Sequence, residues 1–170
     1  MPIPLERLRT VASQKREVLA KSLTEARAAG LKTAFLCHSH LDRDLVMGME
    51  SLLQAAGWNV YIDWRDGSMP TSSSRETASK IKDRIKAAVY FLFLATPNSV
   101  VSRWCPWEIG YADGVKPIDN LFVIPTSDRD GNHYGNEYLQ LYRQIDFSKA
   151  DELAAWMPGQ DTGGVRVRAL

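Results

Sequence analysis

The chain has 170 residues, 45% of them apolar, which is enough for one domain with a real core and too few for two comfortable ones. Its 21 basic and 20 acidic residues are scattered and leave a formal net charge of +1, which excludes the electrostatic footprint of a chain that holds nucleic acid or an anionic membrane. Two cysteines, Cys37 and Cys105, are too few for a disulfide framework, no apolar run approaches the ~18 residues of a spanning helix, and M-P-I-P-L-E-R-L-R lacks a signal-peptide core, so a cytoplasmic location is expected.

In chain order, Leu5, Leu8, Ala12, Leu19, Leu23 and Ala26 recur at helical steps with charges between them, predicting an amphipathic helix over 5–29 that ends near Gly30. T-A-F-L-C (33–37) reads as a buried strand, followed by the polar turn H-S-H-L-D-R-D. Leu45, Val46, Met49, Leu52, Leu53 and Ala56 form the apolar face of a second helix, with Gly57 as a left-handed cap. N-V-Y-I-D (59–63) is a second strand, and the long loop W-R-D-G-S-M-P-T-S-S-S-R leads to a helix carrying Ala78, Ile81, Ile85 and Ala88 on one face. V-Y-F-L-F-L (89–94) is apolar on both faces and reads as a central parallel strand; a helix containing Glu108 follows, ending near Gly114. L-F-V-I-P (121–125) is a fourth strand. After a D-G turn at 130–131 come a short helix around Glu137 to Tyr142, a weak strand at 144–147 and a helix at 151–157; the glycine-rich stretch from Pro158 is a loose end or a late edge strand.

Strand and helix alternate throughout, which predicts an α/β fold: a parallel sheet of about five strands with helices on both faces and functional loops at the carboxyl ends of the strands. Those ends are 37–42, 63–75 and 95–104, so the unusual loops converge. In S-R-W-C-P-W-E one carboxylate, Glu108, follows Trp104 by four residues, a spacing that puts an indole and an acid on one helix face. A flat aromatic beside a lone carboxylate suits a nicotinamide ribose. The same acid is also explained as an early-helix residue favoured by the macrodipole, and the tryptophans as packing residues. His38-Ser39-His40 with the cysteines lacks the spacing of a standard zinc module, so no metal is expected, and Cys37 reads as a small buried hydrophobe. Neither a P-loop nor G-x-G-x-x-G occurs, there is no G-x-S-x-G elbow, D-R-D-G-N (128–132) lacks the later acid of a calcium loop, and no aspartate ends the third strand as a phospho-receiver requires.

Three segments in order resemble a bacterial Toll/interleukin-1 receptor (TIR) domain: A-F-L-C-H-S-H-L-D-R-D its first box, N-V-Y-I-D-W the strand entering the BB loop, and S-R-W-C-P-W-E the W-x-x-x-E helix. The resemblance runs from about Lys32 to Asp151 and implies a flavodoxin-like fold over 31–157, with a helical extension at 1–30 and a tail at 158–170. It implies that Glu108 is catalytic, that Trp104 is the neighbouring aromatic, and that His38, Ser39, His40, Asp63 and Trp64 line the same cleft. The implied activity is cleavage of NAD+ as substrate, with no cofactor, giving ADP-ribose or a cyclic or conjugated ADP-ribose signal in antiphage defence of the Thoeris type. Self-association and a separate effector that senses the product are the implied partners. A non-enzymatic TIR interaction module and a nucleoside hydrolase or transferase are the alternatives.

Overall fold

A computed structural model describes residues 1–14, 23–70, 74–135 and 137–170. In chain order the strands are β1 Ile3–Pro4, β2 Lys32–Cys37, β3 Trp58–Tyr61, β4 Tyr90–Ala95, β5 Leu121–Ser127, β6 His133–Tyr134, β7 Arg143–Phe147, β8 Leu153–Trp156 and β9 Val165–Arg166. The helices are α1 Leu5–Ser13, α2 Leu23–Ala28, α3 Arg43–Ala55, α4 Arg75–Ala87, α5 Pro97–Val100 and α6 Cys105–Val115. Five parallel strands in the order β3-β2-β4-β5-β7 form the centre of the sheet, as the alternation predicted.

The central strands are buried on both faces, and their period of two sorts side chains into two cores. Ala34, Leu36, Leu92, Leu94, Phe122 and Ile124 point to one face, where they meet Leu45, Val46, Met49 and Leu53 of α3 and Leu5 and Leu8 of α1. Phe35, Cys37, Phe91, Phe93, Leu121 and Val123 point to the other, where Ile81 and Ile85 of α4 and Cys105, Ile109 and Ala112 of α6 cover them. The amphipathic N-terminal segment therefore serves its own domain. Its helix α1 crosses α3 so closely that a Cβ at Gly48 would lie 2.0 Å from the Leu8 carbonyl oxygen, an approach only glycine allows.

The expected single helix over 5–29 appears as α1, which closes in a turn at Gln14, and α2; Leu19 and the side chain of Leu23 lie outside the described residues. Gly57 takes φ +85° as its capping role requires. One expectation fails near the C-terminus. The stretch expected as a helix at 151–157 is instead β8, which pairs antiparallel with β7 from Phe147↔Leu153 to Gln144↔Trp156. The reason is a turn: Asp151 adopts φ +61°, the Ser148 hydroxyl accepts from the Ala150 and Glu152 amides, and the hairpin buries Leu153, Ala154 and Ala155. Of the two readings of the stretch after Pro158, the late edge strand holds: it supplies β9 at the edge of the sheet and the fully buried Val167, whose carbonyl accepts from Trp58 Nε1 at 3.0 Å. Among the described residues no helix is long and apolar enough to cross a membrane.

Candidate active site

The carboxyl ends of β2, β3 and β4 open on one side of the sheet. Chain continuity places there the loop after Cys37, the loop after Tyr61, and the run from Ala95 into α6. The first loop begins with His38, buried behind β2, whose Nδ1–H donates to the Leu36 carbonyl at 2.7 Å. That bond turns Nε2 toward Asp63, 3.2 Å from Oδ1, close enough for an ion pair though out of line for a hydrogen bond. The Ser39 hydroxyl accepts from the Leu41 amide and caps a short 3-10 turn, while His40 is exposed on that turn. Ser39 is thus a capping residue, and His40 stands on the outer surface, where it acts on the site through its charge on Asp63.

Asp63, expected as the last residue of the strand, instead opens a 3-10 turn, because β3 ends at Tyr61. Its Oδ1 accepts from the Trp64 amide at 2.7 Å, and the Trp64 indole meets the His38 ring edge-on at 4.5 Å between centroids, with the Arg43 guanidinium 5.2 Å from its face. Burial pushes the Asp63 carboxyl upward, but the His38 ring and the Trp64 amide outweigh it, and the group lies below its ordinary value.

Glu108 sits in the first turn of α6, 6% exposed, with its amide donating to the Trp104 carbonyl at 2.9 Å. The four-residue spacing read in the sequence is therefore a real helical turn. The Ser102 hydroxyl accepts from the Trp104 and Cys105 amides and so caps the helix, which leaves Glu108 unneeded for that purpose. Burial pushes the Glu108 carboxyl well above the carboxylate range, the neighbouring Cys105 and the Asp63 charge push the same way, and only a hydrogen bond with the Cys37 thiol opposes them. Two acids, one on a 3-10 turn and one in the first turn of α6, are thereby set apart: Asp63 held ionised and Glu108 desolvated. Trp104, half-buried, meets Trp107 edge-on at 5.4 Å; Trp107 in turn stacks on Tyr111 beneath Lys82 of α4, a packing role.

Sequence reasoning missed Asp42, which is 3% exposed and accepts from Thr96 Oγ1 at 2.5 Å and Asn98 Nδ2 at 2.6 Å. It joins the loop after β2 to the loop after β4, which carries the chain toward Glu108. An aspartate five residues beyond a buried strand, facing a Thr-Pro-Asn strand end, was the available signal. Among the described residues no group of three or more His, Cys, Asp or Glu is arranged to hold a metal ion.

Residues 34–157 match the family described as TIR domain, a span that holds His38, Asp63, Trp64, Trp104 and Glu108. A protein of Bacillus cereus (strain MSX-D12), described as "Probable 3' cyclic ADP-D-ribose synthase ThsB'", is 36% identical over 113 residues. That match covers 65% of this chain and 58% of the relative, so the chain spans less than two thirds of the protein it resembles. With a five-stranded parallel core, Glu108 one turn after Trp104 and a family match across most of its length, the chain belongs to the TIR domain family.

Proposed function

We propose that this TIR domain cleaves NAD+ at the bond between nicotinamide and ribose, with Glu108 as the catalytic carboxylate. The observation that supports it most is the state of Glu108: a buried acid that no cation of the described residues pairs with, held well above its ordinary value, beside Trp104. Nicotinamide leaves as a neutral molecule from a cationic ring, so it needs no acid; what lowers the barrier is negative charge beside the oxocarbenium ion that forms at the ribose carbon. Glu108 holds its proton until the cationic nicotinamide ring beside it favours the carboxylate; once ionised in a dry wall, it supplies that charge at low effective dielectric, where it acts more strongly than in water. Trp104 offers a flat wall beside it, and Asp63 and Trp64, steadied by His38, form the facing side.

The bond to nicotinamide breaks with its electron pair going to the departing ring. A hydroxyl oxygen then bonds to the ribose carbon and gives up its proton. When that hydroxyl belongs to the adenosine half of the same molecule the product is a cyclic ADP-ribose, the product in the name of the Bacillus cereus relative; when it is water the product is ADP-ribose. We propose the cyclic product for this chain, made as a signal for a separate effector in bacterial antiphage defence, by domains that self-associate.

The test is mass spectrometry of NAD+ incubated with concentrated wild-type chain and with Glu108→Gln. Release of nicotinamide by the wild type alone, with a second product 18 Da lighter than ADP-ribose, is the expected result. Equal turnover by both proteins removes Glu108 from the reaction. Turnover of nucleosides but not NAD+ selects the nucleoside enzyme, and retained partner binding with no turnover by either protein selects the interaction module.

A further inference from the structure

The segment that carries Asp63 and Trp64 is fastened by a residue that takes no part in the cleft. Asp66 Oδ1 accepts from the amide and the hydroxyl of Ser68 at 3.0 and 2.6 Å, closing a tight turn. Its Oδ2 accepts from the Tyr61 hydroxyl at 2.8 Å and from Arg84 Nε at 3.0 Å, and a second Arg84 nitrogen lies 2.8 Å away as an ion pair. One carboxylate thus joins the end of β3, the turn beyond the site and the last turn of α4, and the Arg84 guanidinium also lies 5.5 Å over the Tyr61 ring. Lys80, one helical turn before Arg84, donates to the Ser68 carbonyl, and on the opposite flank Arg65 pairs with Glu50, which is fully buried in α3.

Two helices on opposite faces of the sheet therefore grip the same stretch, Asp63 to Ser68, and the two residues that meet His38 lie at its start. An ordinary surface loop has no need of a carboxylate with four hydrogen-bond donors and an ion pair. The demand is explained if the stretch has to hold one pose, because a side chain displaced by an ångström loses much of its contribution to binding and orientation.

We infer that Asp66, acting with Arg84, is a positioning residue that holds Asp63 and Trp64 against His38 and so presets the substrate-facing side of the cleft. The inference rests on the reading of this domain as an NAD+-cleaving enzyme. Glu108 stands on a different element and makes no contact with the clamp, so releasing Asp66 weakens substrate capture and spares the bond-breaking step.

The experiment uses the full chain and two variants, Asp66→Asn, which keeps shape and loses charge, and Arg84→Met, which keeps the stem and loses the guanidinium. Hydrogen–deuterium exchange of the Trp64 to Ser68 amides, measured without substrate, is expected to speed up about tenfold in each variant, and no further in the double variant, since both remove one interaction. With NAD+, KM is expected to rise about tenfold while kcat stays within about twofold. Unchanged exchange overturns the clamp, and a fall in kcat at constant KM overturns the positioning role. Because the exchange is read without substrate, a wild-type chain inert toward NAD+ overturns the enzymatic reading separately from the clamp.

Discussion

The two sides of the cleft treat their carboxylates in opposite ways. On the β3 side, Asp63 and Asp66 accept hydrogen bonds and face His38 and Arg84, and both are held below the ordinary aspartate value. On the α6 side, Glu108 is buried beside Cys37 and Cys105 and is pushed well above the ordinary glutamate value. The contrast separates structure from chemistry. A paired carboxylate stabilises the fold and is spent in doing so, whereas a desolvated one holds its proton, destabilises the fold when it ionises, and yields that proton when a cation is bound beside it.

The most direct way to break the comparison is Glu108→Gln. NAD+ cleavage should fall by at least about 100-fold, the range for removal of one preorganised electrostatic group, while circular dichroism stays native. Next in size is Asp42→Ala, which strands the Thr96 hydroxyl and the Asn98 amide in or near the interior and should cost about 2–3 kcal/mol in urea unfolding. A small loss there would mean that the two sides of the cleft are independent.

A third expectation concerns stability. Glu108 binds its proton more tightly in the folded chain than in the unfolded one, so its penalty is absent below about 4.5 and grows as pH rises through its folded value. Glu108→Gln should therefore be about 1 kcal/mol more stable than wild type at neutral pH, with the gap closing in acid. The same sign predicts that kcat/KM is lost on the acid side at a pH above the ordinary glutamate value, with no contribution from Asp63 in that range. Asp66 gives the smallest and opposite effect. Its carboxyl, lowered from 3.8 to about 2, stabilises the fold above the unfolded value and loses that contribution as pH falls toward 2, so the deficit of Asp66→Asn should vanish there.

The sequence announced what depends on short periods. The five parallel strands came from their apolar runs, and Trp104 and Glu108 from one turn of helix. It was silent where the physics is long-range. Leu153, Ala154, Ala155 and Trp156 suit a helix as well as a strand, and only the Asp151 turn and pairing with β7 decide for the strand. Asp42 and Asp66 look like ordinary loop acids until partners 54 and 18 residues away arrive beside them. His38, Asp63 and Trp64 were placed through family resemblance, whereas His40, taken from the same box, lies on the surface.

The crossing at Gly48 bears on how assembly of this protein is studied. With Leu8 backbone seated against that glycine and Ile3 and Leu8 sealed from solvent, the first helix works as a fixed lid on one core. A truncation that begins at β2 would uncover an oily trough over α3, and the fragments would stick to one another there. Clumping of such a fragment would report a wound rather than a native contact, so surfaces for self-association are best mapped by single substitutions in the intact chain.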